Sequence, residues 1–283
     1  MSFLLILLCS FTSVTQGVLK KLYSNRSGKG TFTFNTILTL AALMFFAVLS
    51  FGKPYSLDTI PYAMAFGAAY AIATVTEYEA LTHGPLAITS LIMSYSLIIP
   101  TVCGVLFWNE SLSFKQYAGL AFLFLSLFLI RSKDATDAQK KMQFKWLVLV
   151  LIAFVTNGLC SVVQRQQQRV FGSKYDESFM VMALICVVTV LFAVCLIRER
   201  KSIVSFVKAG AFLSFACGIF NGATNLLVML TLVLIPASTF FPVLSALSLI
   251  LSTLAAVFLF NERLVPRQFA ALLLGCIALI LIN

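Results

Sequence analysis

A chain of 283 residues that is 60% apolar and only 11% charged has too little polar surface for a water-soluble globule, in which about 25% of residues carry charge. A lipid bilayer is the solvent that accepts such a surface. The net charge of +10 does not point to nucleic acid, because the Lys and Arg residues stand between apolar runs, where they set topology and meet lipid headgroups.

A membrane span needs about 20 predominantly apolar residues. Taken from the start, runs poor in Asp, Glu, Lys and Arg predict spans at 2–19, 31–51, 59–81, 86–108 and 112–130. The first is followed, not preceded, by basic residues (Lys20, Lys21), so a retained helix is expected there and not a cleaved signal. The segment 131–145 is the most hydrophilic in the chain and marks a boundary. Beyond it, spans are predicted at 146–164, 178–197, 208–232, 236–260 and 266–282. No charge occurs from Ala209 to Asn261, a run too long for one crossing, and Pro236 is the expected break because proline cannot continue a helix. Thr82-His83-Gly84-Pro85 is the corresponding break in the first half. Pro100 and Pro242 lie inside spans and are expected to kink them.

The two halves resemble each other. Ala63, Gly67 and Ala71 fall on one face of the third span; an offset of 151 leads to Ser214, Gly218 and Gly222 in the eighth. The same offset relates Pro85 to Pro236 and Ser94 to Ser245, and one residue more relates Asn109-Glu110 to Asn261-Glu262. Val14-Thr15-Gln16-Gly17 echoes Val155-Thr156-Asn157-Gly158. Small residues at this spacing let backbones approach, so spans three and eight are expected to pack together or against a close neighbour. Five is an odd number of crossings, so the second half enters from the opposite side. The expected fold is therefore all-α, ten transmembrane helices in two inverted five-helix repeats (1–130 and 146–283) joined by a charged linker at 131–145, with a substrate path near the midplane between them.

The segments Trp108-Asn109-Glu110-Ser111-Leu112 with Gln116 and Gly119, and Phe260-Asn261-Glu262-Arg263-Leu264 with Gln268, resemble the paired signature of EamA-type transporters of the drug/metabolite transporter superfamily. The resemblance covers nearly the whole chain. It implies a secondary transporter that moves a small metabolite or drug across the cell membrane by alternating access. It does not choose the substrate, and the Trp-Gly that the family carries near the start of each half stands here as Gln16-Gly17 and Asn157-Gly158. Glu110 and Glu262 sit at span ends beside new helices, where an acid serves turn structure and the helix dipole.

Polar side chains inside a span are costly unless they face protein or a water-filled path. The expected substrate-binding residues are Gln16, Ser94, Tyr95, Asn157, Asn221 and Asn225. Asn221 and Asn225 lie one turn apart on one face, Ser94 and Tyr95 sit near the middle of their span, and Gln16 and Asn157 hold matching repeat positions. Interhelical hydrogen bonding is the other use of such residues. Glu77 and Glu79 are the acids set within a span. Glu77 is the candidate for proton or cation coupling, against headgroup-level placement, and residues two apart point to different faces, so one of them at most meets the path.

Fifteen of the twenty Lys and Arg residues fall on the face holding loops 1–2, 5–6, 7–8 and 9–10. The excess belongs to the cytoplasm, which puts both termini outside it; the family resemblance implies both inside. One histidine, His83, no aspartate within a span and no Gly-x-x-x-x-Gly-Lys loop argue against catalysis and ATP hydrolysis. The seven cysteines lie in apolar runs without metal-ligand spacing. No catalytic residue, metal or cofactor is expected. The expected partners are a small-molecule substrate and membrane lipids. A lipid-carrier flippase is the alternative, since the same bundle can open sideways, and a membrane-embedded enzyme the more distant one.

Overall fold

The computed structural model describes residues 2–27, 30–108, 113–129, 137–234, 237–262 and 266–282. Among them the chain forms eleven α-helices and no strand. Helices α1 (Ser2–Ser27), α2 (Thr31–Leu49), α3 (Ile60–His83), α4 (Leu86–Ser94), α5 (Ile98–Trp108) and α6 (Phe114–Leu129) precede the charged segment. After it come α7 (Asp137–Phe171), α8 (Asp176–Arg198), α9 (Ile203–Leu234), α10 (Ala237–Phe260) and α11 (Pro266–Ile282).

Local chemistry accounts for the breaks. Gly84 closes α3 with its N–H on the Ala80 carbonyl at 2.9 Å, and Pro85, extended at φ −73° and ψ 142°, leads into α4. The fourth predicted span is divided by a 3-10 turn at Tyr95–Leu97. Pro100 lacks an N–H, and its ring crowds the carbonyl four residues earlier, that of Ser96, which falls inside the turn. Helix α10 runs through Pro242 without a break in its helical assignment. A break that was not expected lies at Gly210 in α9, whose backbone leaves helical geometry (φ 178°, ψ 39°) where the Tyr23 ring presses against it.

Among the described residues, eight stretches are long and apolar enough to cross a membrane, against ten expected. The two helices that fall short, α6 and α11, have 16 and 17 residues and border residues outside the described ones. Several boundaries move, two of them most. Helix α1 continues to Ser27, so Lys20 and Lys21 belong to a helix and not to a loop. Helix α7 begins at Asp137, so the second part of the expected linker is helical. Ending spans at the first charge cut both helices short, because long basic side chains stay on a helix as it leaves the apolar layer.

Helix α3 packs on α7 and α8, α9 packs on α1 and α2, and α6 pairs with α11. The small residues of α3 and α9 therefore serve different neighbours. Gly67 faces the Ala183 carbonyl of α8, and Gly218 lies so close to the Leu38 carbonyl of α2 that a methyl group there would collide with it. The aromatic rings of Tyr23, Phe34 and Tyr78 join α1, α2 and α3, with centroids 4.7–6.0 Å apart.

Candidate functional site

One end of the bundle is tied by polar contacts between helix termini. Glu199, just past α8, accepts the Phe32 and Thr33 N–H groups at 3.0 and 2.8 Å. Glu262, just past α10, accepts the Leu86 N–H at 2.8 Å. Each carboxylate thus sits at the N-terminus of a helix from the other half, where unpaired N–H groups and the dipole favour an anion. Asn261 turns the chain into position with a left-handed φ of 52°. Lys21 donates to the Leu81 and Gly84 carbonyls at the C-terminus of α3, both at 2.8 Å. Lys145 Nζ lies 3.0 Å from His83 Nε2, and Thr31 hydrogen-bonds Glu79. Glu262 has the turn role that its place suggested, although the helix it caps is α4 and not the next in sequence. Glu110 lies outside the described residues.

Toward the middle of the bundle, α1, α3, α4, α7, α9 and α10 enclose a cavity of about 350 Å³. Its wall is rich in amides and hydroxyls. On one side Tyr70 Oη donates to Asn221 Oδ1 at 3.2 Å, Asn221 Nδ2 donates to Gln16 Oε1 at 2.9 Å, and Gln16 Nε2 donates to Thr224 Oγ1 at 2.8 Å. Asn225 Nδ2 donates to the Asn221 carbonyl at 2.9 Å. On the opposite side Asn157 Nδ2 donates to Ser96 Oγ at 2.7 Å. That bond fastens α7 to the 3-10 turn that interrupts the fourth span, and Gly158 leaves the room for the approach: a methyl group there would lie 2.8 Å from the Ser96 carbonyl. The Phe66 and Tyr70 rings stack at 5.7 Å and form an aromatic part of the wall.

Of the residues singled out from sequence, Gln16, Ser94, Asn157, Asn221, Asn225 and Glu77 line this cavity. Tyr95 does not. It is fully buried, packed with Leu91, Leu249, Ala271 and Leu272 and set against Gly275 on α11. Its ring is drawn away from the cavity by packing against α10 and α11. Gln16 and Asn157, matched in the repeat, both reach it but fasten different partners. Glu77 and Glu79 do point apart: Glu79 is at the tied end, while Glu77 faces the cavity and forms an ion pair with Lys20 at 2.7 Å.

Lys20, expected in a loop, is instead buried in α1, 6% exposed, and lines the cavity. Tyr70 and Phe66 were not singled out at all. The signal was helical spacing: Lys20 lies four residues after Gln16, and Tyr70, Thr74 and Glu77 fall on one face of α3. A larger hollow of about 470 Å³ at the tied end is lined by Glu79, His83, Lys145 and Glu199. Those groups are already engaged with one another or with helix ends, whereas the central cavity, walled like the hollow by both halves, is lined chiefly by amides and hydroxyls.

A solved structure described only as "Crystal structure of protein" aligns with 98% of this chain and 95% of its own, at a TM-score of 0.56 and 14% identity; that likeness shows a shared fold. No curated protein matches the sequence. The EamA-like transporter family matches twice, over residues 1–132 and again over 144–283. With both copies present and nearly every residue included, the chain belongs to the EamA-like transporter family of membrane transporters.

Proposed function

We propose that this chain is a secondary transporter that carries a small organic solute by alternating access, with the central cavity as its substrate site. In this reading residues 1–130 and 146–283 are inverted repeats of five spans each, joined through 131–145, that rock about the cavity. The observation that carries the reading is a polar cavity of about 350 Å³ walled by helices of both halves, α1, α3 and α4 from one and α7, α9 and α10 from the other. Packing supports the inverted relation. The third span of each half rests on the first two of the other, α3 on α7 and α8, and α9 on α1 and α2, an exchange that a half-turn in the membrane plane produces.

Gln16, Ser94, Asn157, Asn221 and Asn225 are the substrate-contacting residues in this reading. The amides of Gln16, Asn157 and Asn221 already bond neighbouring elements, and Ser94 and Asn225 bond within their own helices, so a solute exchanges bonds with them when it enters. Glu77 is the coupling candidate, being the carboxylate that lines the cavity. The basic face belongs to the cytoplasm of a cell membrane, which leaves both termini on the far side.

Purified protein in liposomes tests the transport reading. Saturable uptake accelerated by unlabelled solute on the opposite side is expected from a carrier. Asn157→Leu, which removes the bond to the turn at Ser96, is expected to reduce it strongly. Flux that grows linearly with concentration and shows no such acceleration refutes alternating access.

A further inference from the structure

His83 is the one histidine in the chain, and it ends α3 at the tied end of the bundle. Its Nδ1 lies 2.8 Å from the Glu79 carbonyl. A carbonyl only accepts, so Nδ1 carries the ring proton, and Nε2 of the neutral imidazole is left as an acceptor. The Lys145 ammonium, which only donates, meets Nε2 at 3.0 Å in a contact open to water. This bond joins α3 of the first half to α7 of the second, and it exists only while the ring is neutral. A carboxylate in place of His83 would hold Lys145 across the whole physiological range, whereas an imidazole gains a proton between about pH 8 and pH 5.

Trp146, next in the chain, occupies the space where a side chain at Gly84 would stand. It is 8% exposed, and its Nε1 donates to Thr89 Oγ1 at 3.1 Å. Two adjacent residues thus seat α7 on the corner between α3 and α4, one through an exposed contact and one through a buried one. The other charged groups lining the hollow are Glu79 on α3 and Arg198 and Glu199 at the end of α8. Glu79 is engaged with Thr31 and Glu199 with the first N–H groups of α2, so neither stands ready to take Lys145 from His83. From α1, Lys21 reaches the Gly84 carbonyl, and Glu262 beyond α10 holds the Leu86 N–H.

We propose that His83 and Lys145 form a proton-released latch: protonation of His83 sets two cations face to face and frees α7 from the α3–α4 corner, letting the halves part at the tied end. The inference rests on the carrier reading above, in which that end opens once in each cycle. Two like charges about 4 Å apart weigh against contact by about fivefold even in bulk water, and the hydrogen bond is lost besides. The opposite end, where Lys53 meets Glu177 at 3.5 Å, holds no histidine, so the latch acts on one end only.

Trp146 reports the latch without any solute. The chain has two tryptophans, so Trp108→Phe leaves Trp146 alone, and quenching of its fluorescence by acrylamide is followed in detergent from about pH 8 to pH 5. The quenching constant is expected to rise at least about twofold as the pH falls. His83→Gln keeps an oxygen for Lys145 and takes up no proton; Lys145→Met removes the opposing charge. Each variant, added to Trp108→Phe, is expected to give a flat profile. A flat profile with His83 and Lys145 both present, or a rise that persists in either variant, overturns the latch. The reading is independent of flux: pH-dependent quenching in a protein without saturable flux supports the latch and refutes the carrier reading, and flat quenching in a working carrier refutes the latch alone.

Discussion

Gly67 and Gly218 occupy equivalent places in the two halves, yet a methyl group added at each has a different consequence. At Gly67 the new Cβ lies 3.1 Å from the Ala183 carbonyl and 3.4 Å from Cys186 Cβ. Helix α8 has to give by a few tenths of an ångström, and the better helix propensity of alanine, worth about 0.8–1 kcal/mol, offsets that. At Gly218 the Cβ falls on the Leu38 carbonyl and lies 2.7 Å from Ala41 Cβ. Carbon atoms rest about 3.5–4.0 Å apart, so α9 and α2 must separate by about 1 Å, and both obstacles are main-chain or β-carbon atoms that cannot rotate away. Overpacking of this kind costs about 1–3 kcal/mol, which is roughly 3–10 °C in Tm for a chain of this size. Cys217 is fully buried beside the contact, so thermal unfolding followed with a thiol-reactive dye in detergent reads the effect directly. Gly67→Ala is expected to melt within about 2 °C of the natural protein and Gly218→Ala well below it. Equal melting of the two variants, or a greater loss at Gly67, refutes the close α2–α9 crossing.

Glu262→Ala leaves the Leu86 N–H without its acceptor and is expected to cost about 1–2 kcal/mol, with Glu262→Gln milder; the same melt reads it, and an unchanged Tm means the cap contributes nothing. Coupling through Glu77 requires proton movement to accompany solute uptake, followed with a pH dye trapped in wild-type liposomes. A dye signal that stays flat at saturating flux removes Glu77 from proton coupling. A reporter enzyme fused after Asn283 is expected to be inactive in the cytoplasm, and activity confined to that compartment reverses the assigned orientation.

The place of the long apolar stretches, the break at Gly84-Pro85 and the duplication were legible in sequence, because lipid imposes a minimum length of apolar residues on any crossing and proline and glycine act on the backbone beside them. Glu262 was legible as a helix-terminal acid from its neighbours alone. The helix it caps was not, since Leu86 lies 176 residues away in the chain. Side-chain direction was the other gap. Ser94 and Tyr95 looked alike as polar residues at mid-span, and only the packing of the Tyr95 ring against α10 and α11 decided that one faces the cavity and the other the core. Lys20 shows the limit most clearly. Charge marks the edge of a span when each residue is weighed by itself, and a lysine becomes an interior residue only when a carboxylate 57 positions away is folded to within 2.7 Å of it. Sequence by itself determined which segments enter the membrane, because that is decided by transfer free energy residue by residue. Tertiary structure decided which polar groups meet, because pairing energy belongs to distances that no single segment contains.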